Sequence, residues 1–427
     1  MVSRDTIAAV SSGSPPAAIG VIRVSGPHAG AAIDALCGRR PEPRKASLRT
    51  LRDTDGLALD EALVLWFPGP ATATGEDLAE FHCHGGRAVL AAVEHALVKQ
   101  EGVRRALPGE FTRRAFANGR VDLAEAEGLA DLLTAETELQ RATAMANAGG
   151  AISRQVEAWR EEVLRLSAQV EAALDFADED DVAELSPAFV KGLAVLSGDL
   201  RDWLNRPRVE ALGQGYRVAL AGPPNAGKST LFNALVDSEA AITSPIAGTT
   251  RDVIERSVAI SGTPFTFVDT AGLRDGTDDT IEAAGIERAR GELARADCVL
   301  WLGAEGQGPA GAWEVAAQSD VPHFVPKGPG AHTVSAVSGD GVAALKESLL
   351  AASRTALPKP GDAALNARQH EVLALAEQSV SRAQNVLDPL LIGEELRLAR
   401  AALDALIGRT TTEDMLDALF GRFCIGK

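Results

Sequence analysis

Gly222-Pro223-Pro224-Asn225-Ala226-Gly227-Lys228-Ser229 stands between the apolar run Val218-Ala219-Leu220-Ala221 and the amphipathic run Thr230-Leu231-Phe232-Asn233-Ala234-Leu235. It fits G-x-x-x-x-G-K-[ST], with a strand before it and a helix after it, the context that a phosphate-binding loop requires. The glycines let main-chain N–H groups turn inward around phosphate oxygens, and the helix N-terminus adds its positive end. Lys228 supplies a point charge to the outer phosphates, and the Ser229 hydroxyl is placed for Mg²⁺.

Two further pieces follow in order. Phe265-Thr266-Phe267-Val268 runs into Asp269-Thr270-Ala271-Gly272, where a carboxylate at a strand end can hold Mg²⁺ through water and a Gly N–H can face the terminal phosphate. Between the two lies Ile246-Ala247-Gly248-Thr249-Thr250-Arg251-Asp252, whose Thr250 can add a second hydroxyl to the metal. This order predicts a GTPase of the switch type. Leu273 follows Gly272 and cannot orient an attacking water as a Gln would. The side-chain carbonyl of Asn225 can ligate a monovalent cation, which near the phosphates does the electrostatic work of an arginine finger. Glu282 can position water indirectly, although on pattern alone it also reads as the charged start of a surface helix.

Guanine reading usually takes Asn-Lys-x-Asp after a strand. The expected place here is Val325-Pro326-Lys327-Gly328-Pro329, which keeps Lys327 and lacks both Asn and Asp, with Ser335-Ala336 as the last nucleotide loop. Lost hydrogen bonds to a substrate edge cost specificity, so weakened guanine affinity or discrimination is expected.

Working outward, 427 residues at roughly 150 per domain suggest three domains, and 46% hydrophobic residues suffice for a core in each. From residue 1 to 118 short apolar runs such as Ala17 to Val24 and Ala62 to Phe67 alternate with Gly and Pro clusters. Strands with a helix near Arg87 to Lys99 are expected there, an α+β domain. Residues 119–212 turn helical, with Val156, Trp159, Val163, Leu166, Val170 and Ala173 on one face. The acidic cluster from Asp175 to Glu184 reads as a solvated turn. Residues 213–354 alternate strands and helices, as a parallel sheet with crossovers does. In 355–427 the helical period returns at Leu396, Ala399, Leu403 and Leu406, Gly408 stops it, and Thr411-Thr412-Glu413-Asp414 resembles the capped start of a last helix. The economical arrangement is a helical domain in two pieces with the α/β unit inserted between them.

The formal charge of −17 excludes a general nucleic-acid coat protein but not a local basic site. Arg104, Arg105, Arg113, Arg114 and Arg120 form the densest basic region, open to nucleic-acid phosphates or simply solvated. Cys37, Cys83, Cys298 and Cys424 show no C-x-x-C spacing, which fits neither a disulfide framework nor a zinc site and implies a reducing cytoplasm. His82-Cys83-His84 puts two imidazoles on one strand face without further ligands nearby. No stretch reaches the eighteen apolar residues of a membrane span, and no complete G-x-G-x-x-G appears, so neither a membrane nor a second dinucleotide site is expected.

The whole chain resembles the tRNA modification GTPase MnmE (TrmE) family. Beyond the phosphate loop and Ile246-Ala247-Gly248-Thr249-Thr250-Arg251-Asp252, the resemblance rests on Ile22-Arg23-Val24-Ser25-Gly26, Thr74-Gly75-Glu76-Asp77, Glu80-Phe81-His82-Cys83-His84-Gly85-Gly86, Pro108 to Gly119, Asp122 to Glu127 and the tail Phe423-Cys424-Ile425-Gly426-Lys427. It implies a multidomain chain: an α+β N-terminal domain that binds a reduced folate such as 5-formyl-tetrahydrofolate, an α-helical domain, and an inserted α/β P-loop GTPase domain. The folate positions are then Arg23, Glu80, Arg120 and Lys427, with Arg120 where a Lys is common and the fork geometry therefore different. It implies K⁺ at Asn225, Ser244, Ile246 and Thr249, Mg²⁺ at Ser229 and Thr250, and a water-positioning role for Glu282. It further implies GTP contacts along Asn225 to Thr230 and Ser244 to Thr250, a homodimer made through the folate domain, and action with the flavoprotein MnmG on C5 of the wobble uridine of certain tRNAs. Departures are the Pro326 to Pro329 segment, the short connection after it, and Ala73 where a Tyr is common. Cys424 reads as a packed thiol or as a group near the folate. The competing function is a non-catalytic GTPase switch in RNA or ribosome assembly, which has no use for Arg23 and Glu80 converging with Lys427.

Overall fold

The computed structural model describes residues 5–175, 185–237, 239–242, 254–269, 290–410 and 412–426. The chain packs as two compact units, Met1–Ala130 with Asp404–Lys427, and Asp131–Leu403.

The first unit is built on a six-stranded sheet of β1 (Thr6–Val10), β2 (Ile19–Ser25), β3 (Ser47–Arg52), β4 (Ala58–Phe67), β5 (Leu78–His84) and β6 (Val103–Arg105) in the order β3-β4-β5-β2-β1-β6. All neighbours are antiparallel except β1 and β6. Alternation puts Ile22, Val24, Val64 and Phe81 on one face, fully buried, under the helices Ala29–Cys37 and Arg87–Val98. Gly20 lets Leu90 pack down on β2: a Cβ there would stand 2.6 Å from the Leu90 methyls and that side chain would have to shift. The helix Glu413–Phe420 belongs to this unit: its Phe420 carbonyl lies where a Cβ on Gly109 would meet it at 2.2 Å, and Leu416, Phe420 and Phe423 share a core with Leu123 and Ala126. Thr412 stands at its N-cap as expected, but without a side-chain capping bond, and the Glu413 carboxylate instead accepts from Arg113.

The second unit holds a seven-stranded sheet of β7 (Tyr216–Ala221), β8 (Ala240–Ala241), β9 (Ile254–Ile260), β10 (Thr263–Asp269), β11 (Cys298–Trp301), β12 (Trp313–Ala316) and β13 (His332–Thr333), ordered β13-β12-β11-β7-β10-β9-β8. From β13 through β10 every pair is parallel, while β10, β9 and β8 form an antiparallel edge. The central strands are apolar on both faces, as a covered parallel sheet demands, with Val218, Ala219, Leu220, Phe265, Phe267, Val268 and Leu300 fully buried.

Helices on both sides of this sheet in sequence pack together. Arg201 Nε and Ser197 Oγ, from the helix Pro187–Leu204, donate to Glu377 Oε1 at 2.7 and 3.1 Å, and Gln384 Nε2, from the helix Ala367–Asn385, donates to Leu193 O at 2.8 Å. The expected stripe on the helix Ala151–Asp175 is buried, each large side chain contributing about 1.5–3 kcal/mol, and Trp159 meets Trp203 edge to face at 5.6 Å. Leu396, Ala399, Leu403 and Leu406 are buried on the helix Pro389–Leu406, and Gly408 follows at φ 84°. Of the acidic cluster only Asp175 lies within the described residues, at the end of its helix. The fold class is the expected one, α+β, helical and inserted α/β.

Candidate nucleotide site

The phosphate loop sits at the carboxyl end of central β7, where a doubly wound sheet places its ligands. Gly222 has φ 152°, Asn225 64° and Gly227 88°, so the loop turns through left-handed backbone at three positions before the helix Lys228–Val236 begins. Asn is among the side chains that tolerate this region, so Asn225 fits where most residues would be strained. A Cβ on Gly222 would stand 3.2 Å from Gly303 N, and the loop keeps that close approach. Lys228 is buried, and its Nζ donates to the carbonyls of Gly222 (3.0 Å) and Pro223 (2.7 Å), bending the ammonium back over the loop. Ala226 N donates to Pro223 O at 3.4 Å, while Asn225, Ser229 and Thr230 are exposed along the rim.

Asp269 pairs in register with Leu220 because β10 lies beside β7. That register brings its carboxylate, 1% exposed, to the first helical turn, where Ser229 Oγ donates to Oδ2 at 2.6 Å. Two hard oxygen donors are thus held together at the mouth of the cradle, the donor set that suits Mg²⁺. Ser244, Pro245, Ile246, Ala247, Gly248, Thr249 and Thr250, with Thr270, Ala271, Gly272 and Glu282, lie outside the described residues.

The segment that the sequence offers for base reading does not follow a strand in the structure. Residues 321–331 form no strand, and Lys327 is held elsewhere: its Nζ donates to Glu314 Oε2 at 2.6 Å and to Trp301 O at 2.9 Å. The strand whose end faces the phosphate loop is β12, paired in parallel with β11, and the residues after it are Ala317-Gln318-Ser319-Asp320. Gln318 Nε2 donates to Asn225 O at 3.3 Å, and Gly227 packs against the Gln318 stem. Asp320 Oδ1 accepts from Ser335 Oγ at 2.7 Å, and Ser335 in turn is fixed by Ser338 N, which donates to its Oγ at 3.0 Å. Gly227, Thr230, Gln318, Asp320, Val334 and Ala336 line a cavity of about 120 Å³. Sequence reading did not single out Gln318 and Asp320. The available signal was the short apolar strand at Val315 and Ala316 with an Asp four residues beyond it, fifteen before Ser335.

In the first unit, Arg23 and Glu80 are register partners on β2 and β5. Arg23 Nε and Nη2 donate to Glu80 Oε1 at 3.1 and 2.8 Å, and His82 Nε2 lies 3.3 Å from Oε2. Arg120 is exposed, its stem against Gly75, in the turn that Asn118 closes by donating to Thr74 O at 2.7 Å. Gly426 lies against the Val10 carbonyl, and Val10 is the register partner of Ile22, so the tail reaches the sheet beside Arg23. Lys427 itself is outside the described residues. His84 Nδ1 meets Asp60 Oδ1 at 2.7 Å, and among the described residues no group of three His, Cys, Asp or Glu side chains is arranged to hold a metal. Among them, too, no helix is long and apolar enough to cross a membrane.

Comparison with known proteins bears on the same two units. The model of the GTP-binding protein TrmE N-terminus matches residues 6–120, and that of the MnmE helical domain matches residues 123–424. The tRNA modification GTPase MnmE of Erythrobacter litoralis is 62% identical over 423 residues, 99% of this chain and 100% of that protein. Those of Novosphingobium aromaticivorans and Rhizorhabdus wittichii are 61% and 58% identical, each over 99% of this chain and over 100% and 97% of theirs. With a phosphate cradle in the expected strand, loop and helix, and with this likeness along its whole length, the chain belongs to the tRNA modification GTPase MnmE family.

Proposed function

We propose that this tRNA modification GTPase hydrolyses GTP with the help of an alkali cation and works, with a flavoprotein of the MnmG kind, on C5 of the wobble uridine of certain tRNAs. The observation that carries the nucleotide reading is the Ser229–Asp269 contact beside the Gly222 cradle. Main-chain N–H groups of residues 225–230 bind the phosphates, Lys228 neutralises the outer ones, and Ser229 with Thr250 holds Mg²⁺ while Asp269 orients its water shell. Magnesium supplies charge neutralisation when bound. Asp320, backed by Ser335, accepts the paired N–H groups of the guanine edge, so the carboxylate thought lost is supplied by the loop after β12. Ala317 and Gln318 replace the usual Asn and Lys.

Asn225, Ser244, Ile246 and Thr249 form the K⁺ site, for which the exposed amide of Asn225 on a left-handed turn is a fitting oxygen donor. Potassium would supply positive charge there without a guanidinium. Glu282 positions the attacking water. In the first unit Arg23, Glu80, Arg120 and Lys427 hold the reduced folate, for which a paired guanidinium and carboxylate on an open strand face are suited. When bound, the folate supplies the carbon added to the base. The domains divide at residues 118, 212 and 354, the first mediating a homodimer, and the protein works in the cytoplasm.

Steady-state GTP hydrolysis in KCl against NaCl at equal ionic strength tests this. A rate in K⁺ at least tenfold above that in Na⁺, lost in Asn225→Ala with GDP binding retained, is expected. Equal rates in both salts would remove the cation from the mechanism.

A further inference from the structure

The chain carries a net charge of −17, yet its family acts on a polyanion. In the basic region that the sequence singles out, four of the five arginines, all but Arg120, are paired with carboxylates. Arg104 bonds Asp5 and Glu110, Arg105 lies 3.1 Å from Glu94, Arg113 reaches Glu413 and Asp417, and Arg114 is buried among Asp5, Glu76 and Glu110. A second basic stretch is different. Residues 39–52 hold Arg39, Arg40, Arg44, Lys45, Arg49 and Arg52 against the lone acid Glu42.

We propose that the β3 edge and the turn leading into it form a docking surface for the tRNA phosphate backbone, centred on Arg44, Arg49 and Arg52. The proposal rests on the tRNA reading above and adds the surface that meets the RNA. β3 is the outermost strand of its sheet, so its edge is unpaired among the described residues. β3 itself, Ser47–Arg52, runs roughly 17 Å at about 3.3 Å per residue, long enough to follow two or three phosphates, with Arg44 in the turn before it. Arg40 is neutralised by Asp34 and Lys45 by Glu42. Among the described residues, Arg44, Arg49 and Arg52 donate only to main-chain carbonyls, those of Ala71, Leu48 (2.9 Å) and Gly56 (2.9 Å), and none has a carboxylate within ion-pair distance. These bonds orient the guanidinium groups and leave their charge uncompensated. Charge on an edge strand also discourages strand addition, but that needs one or two cations within the strand, whereas here the charge extends through the preceding turn.

The test measures binding of an unmodified tRNA transcript to the full chain by fluorescence anisotropy across a salt series, with Arg44→Ala/Arg49→Ala/Arg52→Ala, the matching triple Lys variant, and Arg397→Ala as a remote control. The Ala triple is expected to raise Kd at least about tenfold near 0.15 M salt and to lower the slope of log K against log salt by about 2–3. The Lys triple and Arg397→Ala keep near-normal binding, and basal GTP hydrolysis and circular dichroism are unchanged in all. An Ala triple with unaltered Kd and slope overturns the proposal. So does loss of binding to phosphatidylserine vesicles with tRNA binding intact. An unaltered chain that hydrolyses GTP but binds no tRNA also sinks this surface, while leaving the nucleotide reading in place.

Discussion

Replacing Asp320 by Asn tests the base site with an isosteric change of one charge. The Asp320 carboxylate already accepts from Ser335 Oγ through Oδ1. In the proposed site its remaining lone pairs accept from the two N–H groups of a guanine edge. Each hydrogen bond to a charged group is worth about 1.5–3 kcal/mol, so losing the pair removes about 3–6 kcal/mol. At 1.4 kcal/mol per decade, GDP affinity should fall by roughly 10²–10⁴. The Asn amide presents a donor where the carboxylate accepted, and xanthine carries a carbonyl where guanine carries its amino group, so XDP affinity should rise in the same variant. Isothermal titration with GDP, ADP and XDP reads all three. Lys327→Ala serves as the control and should change GDP affinity little, because Lys327 is bonded to Trp301 O and Glu314. If Asp320→Asn binds GDP within about threefold of the unaltered chain and gains nothing for XDP, the loop after β12 does not read the base.

Two further outcomes are expected. Burial raises the Glu110 carboxyl, but bonds from Arg104, Leu107 N and Arg114 outweigh it and hold its pKa below the ordinary value. Its stabilisation is therefore full above the unfolded carboxylate pKa and is lost as pH falls through the lower folded one; Glu110→Gln should cost roughly 1–3 kcal/mol in urea unfolding at pH 7 and progressively less below pH 4.5. Burial pushes the thiols of Cys83 and Cys298 up to about 12 and that of Cys37 to about 11, whereas Cys424 is exposed, so brief alkylation at pH 8 should label Cys424 alone in mass spectra of the native protein.

What could be read from the residues was whatever a short window determines. The phosphate loop, the stripe from Val156 to Ala173 and the stripe from Leu396 to Leu406 each depend on neighbours within a few turns, and the structure has them as read. Asp320 was hidden because β12 is only four residues long and owes its place to pairing with β11, a relation that local pattern does not contain. Lys327 drew the expected base loop to residues 325–329, whereas the loop proposed to read the base follows β12. The arginines near Arg104 looked available for the same reason: the partners of Arg113 are Glu413 and Asp417, about 300 residues away.

The docking of residues 404–427 onto the first 130 also orders events at the ribosome. Roughly 280 residues separate Ala130 from the helix that begins at Glu413, and at about 5–20 residues per second their synthesis takes on the order of 15–60 s. Throughout that interval Leu123, Ala126 and Phe116 lack the partners Phe420 and Phe423 that later cover them. A nascent chain stalled or cleaved in the intervening stretch leaves this greasy seam uncovered for as long as it lasts.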